Sequence, residues 1–228
     1  MLKTDLVQKI HQSPWKVVIS LAGGGSRAIY DLLQIPGGSR TLLEAIVPYS
    51  PEAFDLFVGA KSEQYCSDEA ARALAMAALN KAQRLTSPDD FDHLVGIGVT
   101  ASLATDRVKR GEHRVFLALQ TSSFTLRVSL LLEKGKRTRL EEEDLVADLI
   151  LNLLSFLAFP NENIPEPGAN ATGPDIVCPL DVRVLEDFPA HHDAEVPLLP
   201  SETPKITLVL ANLAWTHLLF GRPGEKGV

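Results

Sequence analysis

The groups best placed for chemistry crowd into residues 15–59. An apolar run, Trp15 to Ala22, empties into Gly23-Gly24-Gly25-Ser26, and a helix-like stretch then closes at Ile35-Pro36-Gly37-Gly38-Ser39. A second apolar run, Leu42 to Val47, delivers Pro48-Tyr49-Ser50. Strand, glycine turn and helix in that order can bring backbone N–H groups and a helix N-terminus onto an anion such as a phosphate. The same glycines serve equally well as tight turns, and Ser39 and Ser50 as helix caps, so the pattern alone leaves both readings open.

Other reactive side chains are scattered. His93 and His113 fall near the ends of expected strands, where a histidine is ordinarily solvated but can face a pocket. His191-His192-Asp193 resembles a metal pair, yet it sits in a proline-rich stretch with no third ligand at suitable spacing, so no metal is expected. Cys66 and Cys178 form no CxxC pair and are too few for a disulfide framework, which suits free thiols in a reducing compartment.

The elements that must position these groups are legible in order. Residues 4–12 suit an opening helix through Leu6, Val7 and Ile10, and the β-branched run from Trp15 to Ala22 suits a buried strand. Ser26 to Leu33 returns to helical spacing with Ile29, Leu32 and Leu33 on one side. Thr41 to Pro48 reads as a strand, although Leu42-Leu43-Glu44-Ala45 could equally open a helix. Ser50 can cap a helix with Pro51 at its first position, Phe54, Leu56, Phe57 and Val58 as its apolar side and Gly59 as its stop. Ser67 then caps the clearest helix, alanine-rich from Ala70 to Leu85, with Leu74, Ala77, Ala78 and Leu85 expected to face a sheet.

Leu94 to Thr100 is a strand in which Gly96 and Gly98 allow another backbone or a ligand to come close. Arg114 to Gln120 and Thr125 to Leu132 should pair antiparallel, and Thr138 can cap a long helix running through Leu154. From Pro160 to Pro204 the composition changes, with nine of the fifteen prolines of the chain among Asn, Glu and Asp. Ile206 to Leu219 is apolar again and suits a strand or helix docking back. These elements predict an α/β fold, a three-layer α/β/α domain with a mixed sheet over residues 1–158. A Pro-rich acidic tail follows, a linker at 159–204 and a C-terminal segment at 205–228.

Charge narrows the partners. The net charge of −7 is unevenly spread: 18 Lys and Arg stand against 19 Asp and Glu in residues 1–150, and 4 against 10 thereafter. With no basic face in excess, nucleic acid and anionic membrane are not expected partners. The N-terminus lacks the order of a signal peptide and no run is long enough to span a bilayer, so a cytoplasmic protein is expected.

The order of motifs resembles the C-terminal domain of the CinA family, the competence and damage-inducible proteins, many of them nicotinamide mononucleotide amidohydrolases. The family's Glu-Ser-Cys/Leu-Thr-Gly-Gly turn is matched by Ile19-Ser20-Leu21-Ala22-Gly23-Gly24, and its Pro-Gly-Ser-Ser turn by Pro36-Gly37-Gly38-Ser39. Its Tyr-Ser-Asn-Glu-Ala-Lys segment is matched by Tyr49-Ser50-Pro51-Glu52-Ala53-Phe54. Cys66 to Ala75 looks like the family's helix start, and Gly96 to Thr105 like its Gly-Ile-Ala-Val-Thr strand and turn. The match covers about residues 5–155.

The resemblance implies a pocket for a nicotinamide-type nucleotide, no cofactor, a homodimer, and hydrolysis of the carboxamide C–N bond with release of ammonia. Ser39 would be the nucleophile and Tyr49 the hydroxyl relay. Ser20, Gly23 and Gly24 would form the phosphate or oxyanion cradle, with Ser50, Thr100 and Arg137 positioning the substrate. The family lysine suited to deprotonate a serine falls here on Phe54, whose ring accepts no proton. The family acid is Ile19, its threonine Ala22, and its Gly-Pro turn Ala104-Thr105. The resemblance therefore implies a degenerate amidohydrolase that binds and hydrolyses poorly or not at all, with an active deamidase as the alternative. Because CinA-like segments also occur fused ahead of nucleotidyltransferases, an interaction module serving such a partner is a third possibility.

Overall fold

The structure is a computed structural model that describes residues 3–107, 110–159, 194–196 and 205–210. His191-His192-Asp193, Cys178, most of the 159–204 linker and residues 211–219 lie outside the described residues.

A mixed sheet lies between two helical layers. Its order is β2-β1-β3-β4-β5-β7-β6, where β1 is Lys16–Ala22, β2 Leu42–Ile46, β3 Leu94–Ser102, β4 His113–Gln120, β5 Phe124–Leu132, β6 Ala194–Val196 and β7 Lys205–Leu210. β1 runs parallel to both β2 and β3, and the remaining pairs are antiparallel. The helices are α1 Lys3–Gln12, α2 Ser26–Gln34, α3 Gly38–Thr41, α4 Pro51–Val58, α5 Asp68–Leu85 and α6 Arg139–Ala158. The expected three-layer architecture is therefore present. The ambiguous Leu42-Leu43-Glu44-Ala45 is a strand because it pairs with Val17 to Ser20 of β1.

Period-two alternation decides which layer each strand residue meets. Val17, Ile19 and Leu21 of β1, Val95, Ile97 and Val99 of β3, and Val115, Leu117 and Leu119 of β4 join α1, α2 and α6 in the larger core. Val18 points to the other face, with Ala78, Leu79 and Ala82 of α5. Lys3 bonds the first layer together, with Nζ 3.3 Å from Asp31 of α2 and 2.7 Å from Asp148 of α6. Burial holds the Asp148 carboxyl above the usual carboxylate range, partly offset by Lys3.

The glycines of β3 admit a helix. A Cβ on Gly96 would stand 2.1 Å from the Ala75 carbonyl oxygen, and one on Gly98 2.2 Å from that of Ala71. The alanine stripe of α5 and the glycines of β3 thus form one close-packed surface, with Ala71, Ala75 and Ala78 fully buried. Some apolar positions depart from expectation. Leu56, two residues on from the buried Phe54 and so on the opposite side of α4, is 86% exposed, and Leu33 and Leu85 are exposed as well.

Capping follows the sequence at three helices. Ser50, Ser67 and Thr138 accept from the N–H groups of Ala53, Ala70 and Glu141, and Thr138 and Glu141 complete a capping box. Bonding to Thr138 holds the Glu141 carboxyl below its ordinary range, and the Arg137 charge adds to this. Ser39 does not cap: Gly37 stands at the N-cap of α3.

Candidate functional site

The three parallel strands end at one rim of the sheet. β1 passes there into Gly23-Gly24-Gly25, β2 into Val47-Pro48-Tyr49-Ser50, and β3 into Leu103-Ala104-Thr105. The chain leaves β1 for β2 on one side and returns as β3 on the other, the arrangement in which α/β sheets place ligands beyond their carboxyl ends. Gly23 is required there twice over. Its φ is +111°, and a Cβ would lie 2.1 Å from the Ala101 carbonyl oxygen.

The first turn of α6 closes on this rim. Arg139 donates through Nη2 to the Gly23 carbonyl at 2.8 Å and through Nη1 to that of Ala104 at 3.4 Å. Glu143 accepts from the Ser26 N–H at 2.6 Å and from the Ser26 hydroxyl at 2.7 Å. Helix α2 has only Gly25 at its N-cap, with no side-chain cap of its own, so a carboxylate 117 residues away supplies it. Glu142, fully buried, accepts from the Ala104 N–H at 2.6 Å and from His113 Nδ1–H at 2.8 Å. His113 is therefore a buried, oriented imidazole, unlike the solvated histidine ordinary at a strand end. In the sequence, Glu142 and Glu143 are indistinguishable from the helix-opening acids beside them. Only the packing of α6 turns these two toward β3, β4 and α2.

The other expected residues separate into groups. Ser20 is fully buried, with its hydroxyl 3.4 Å from the Leu74 carbonyl oxygen and 3.3 Å from that of Ile97. Thr100, equally buried, donates to the Ser67 carbonyl at 3.1 Å. Both hydroxyls point to the α5 side and tie that helix to the sheet. Ser50 is the cap of α4, and Tyr49 beside it is 70% exposed. Arg137 is half-buried just ahead of α6, and it is Arg139 whose guanidinium meets Gly23.

Ser39 lies elsewhere. It is exposed on α3, before the start of β2, whereas Tyr49 follows its end. The four steps from Leu42 to Ile46, at about 3.3 Å each, put roughly 13 Å between the two ends of the strand. The α3 end is held by α1: His11 Nε2–H donates to the Leu32 carbonyl, His11 Nδ1 meets the Thr41 hydroxyl, and Arg40 donates to the His11 carbonyl, each at 2.9 Å. Burial, seconded by the Arg40 charge, lowers the His11 pKa below its ordinary value.

Phe54, where the resemblance leads one to expect a lysine, is 2% exposed. Its ring meets Tyr65 edge-on at 5.3 Å and packs with Ala70 and Leu74. Among the described residues, no group of three or more His, Cys, Asp or Glu is placed to hold a metal ion, and no helix is long and apolar enough to cross a membrane.

Solved structures share this fold. A competence/damage-inducible protein from Agrobacterium tumefaciens superposes with a TM-score of 0.53 at 19% identity, over 70% of this chain and 96% of that one. A competence or damage-inducible protein from Enterobacter asburiae gives 0.53 at 14% identity, over 70% and 98%. A CinA superfamily protein from Enterobacter cloacae gives 0.51 at 14% identity, over 70% and 92%. The fold is the CinA fold. No protein-family model and no curated protein sequence matches the chain. Identities this low carry the fold across and leave the chemistry to the residues of this chain.

Proposed function

We propose that this chain is a divergent CinA-type domain that binds a nicotinamide-type nucleotide without hydrolysing it efficiently. The observation that carries the reading is Phe54, a ring packed among Tyr65, Ala70 and Leu74 at the position where the resemblance calls for a basic amine. Amide hydrolysis needs a group to take the proton of the attacking hydroxyl or water. Neither a phenyl ring nor the Ser39 hydroxyl alone provides one. The exposed Tyr49, the Gly23-Gly24 turn and the α2 N-terminus remain as ligand groups at the carboxyl rim. A phosphate bound at Ser26 has to displace Glu143, which weakens the affinity. The reading carries with it a cytoplasmic location and a homodimer.

Calorimetry with millimolar nicotinamide mononucleotide should give binding heat, while ammonia release stays at the buffer rate. Absence of heat overturns the binding, and ammonia release abolished by Ser39→Ala overturns the degeneracy in favour of an active deamidase. A second reading, a non-catalytic interaction module serving a nucleotidyltransferase, is favoured by Glu143 already occupying Ser26. A nucleotidyltransferase in the reading frame directly downstream, together with no nucleotide heat, would select it.

A further inference from the structure

His113 has one ring nitrogen engaged and one unused. Its Nδ1–H donates to Glu142 at 2.8 Å, and the same carboxylate takes the Ala104 N–H at 2.6 Å. An ionised carboxylate only accepts, so the neutral ring carries its proton on Nδ1 and presents a lone pair at Nε2. Among the described residues Nε2 meets no partner, while the side chain keeps 10% of its surface open. A side chain nine-tenths buried, fixed in one tautomer and left with an unpartnered acceptor, is ready for a ligand N–H.

Its place suits the carboxyl rim. Gly23 lies against Ala101, and Ala101 pairs with Val115, so the three share one level across β1, β3 and β4. His113 stands two residues nearer the rim than Val115, on the same α6 side of the sheet. Two strand spacings of about 4.8 Å and two rises of about 3.3 Å put roughly 12 Å between the backbones of Gly23 and His113. That is the span of a mononucleotide from phosphate to base. Arg139 bridges the interval, bonded to the Gly23 and Ala104 carbonyls.

We propose that His113 Nε2 accepts a hydrogen bond from the carboxamide N–H of the nicotinamide-type nucleotide, and that this contact selects the amide over the corresponding acid. The inference rests on the nucleotide reading above, with the phosphate at the glycine turn. A nicotinate carboxylate has no N–H to give and sets an oxygen lone pair against Nε2, leaving both acceptors unpaired. Glu142 is a positioning residue: it acts on the ligand only through the ring, by holding the proton on Nδ1.

Calorimetry on the full chain at about pH 9, which reads the neutral ring, should give a dissociation constant about tenfold lower for nicotinamide mononucleotide than for nicotinate mononucleotide. His113→Asn keeps an N–H for Glu142 and removes the Nε2 acceptor. It should bring the two constants to within about twofold by weakening the amide ligand, whereas a merely structural loss weakens both ligands alike. A second readout needs no variant: in isotope-labelled wild type, the Nε2 resonance of His113 should move on adding nicotinamide mononucleotide, and Nδ1 much less. Equal affinities in the wild type, an Nε2 resonance that stays put, or a preference that survives His113→Asn and so belongs to the surrounding carboxylates, each overturns the assignment. Heat with neither nucleotide removes the nucleotide reading itself, and the assignment with it.

Discussion

Removing the Glu142 carboxylate tests whether the α6 turn builds the rim. The side chain is fully buried and accepts two bonds, from the Ala104 N–H at 2.6 Å and from His113 at 2.8 Å. Glu142→Ala leaves both donors without their acceptor in a site from which water is largely excluded. Losing one partner of a buried charged interaction costs about 3–5 kcal/mol, with the orphaned donors accounting for much of it. At about 2–4 °C per kcal/mol for a domain of this size, the melting temperature should fall by roughly 10 °C. Glu142→Gln keeps an acceptor for Ala104 and should cost less, about 1–3 kcal/mol. Thermal unfolding of both variants and of His113→Ala, followed by circular dichroism, completes a double-mutant cycle. Glu142→Ala added to His113→Ala should cost clearly less than on its own, because the two share one bond. A Glu142→Ala melting point within about 2 °C of the wild type, or strict additivity with His113→Ala, would refute the argument.

Two further outcomes follow from the packing. Gly98→Ala places a methyl 2.2 Å from the Ala71 carbonyl oxygen and 2.4 Å from the Ala75 nitrogen, both rigid backbone. It should destabilise by about 3 kcal/mol or more, read as a lower urea midpoint, whereas Gly111→Ala, with nothing within 4 Å of the added methyl, should leave the unfolding free energy within about 0.5 kcal/mol of the wild type. His11 makes stability fall with acid. Its folded pKa is lowered below its unfolded value near 6.5, so the unfolded chain takes up the proton first. Its contribution is complete above about pH 6.5 and is lost as pH falls through the lowered folded value. The urea midpoint should therefore drop between pH 7.5 and 5.5, and His11→Asn should flatten that drop; an unchanged slope would remove His11 as its source.

The local signals in this sequence are strong because each is written in neighbouring residues. A β-branched run closed by glycine marks β1, an apolar run carrying Gly96 and Gly98 marks β3, and Ser50, Ser67 and Thr138 mark helix starts, since caps and periodicity act over one or two turns. The motif order also pointed to the CinA fold through Ser20, Gly23, Tyr49 and Thr100. What those side chains do was not legible there. Ser20 and Thr100 have the residue types of a cradle, but strand alternation turns both toward α5, where their hydroxyls meet backbone carbonyls.

The sequence by itself determined most of the elements, the general α/β order, and the phenyl ring that stands where the resemblance expects a base. Pairing with β1 was needed to make a strand of β2, and tertiary packing left Leu33, Leu56 and Leu85 exposed. Only the tertiary structure decided which groups meet at the carboxyl rim. Arg139, Glu142 and Glu143 reach Gly23, Ala104, His113 and Ser26 because α6 packs across strands far from it in the chain. Ser39 and Tyr49 stand apart because β2 is a strand, extended at about 3.3 Å per residue, where a helix would have kept its ends close. Spacing along the chain fixes distance only once the backbone conformation between two residues is known, and at β2 the pairing with β1 sets that conformation.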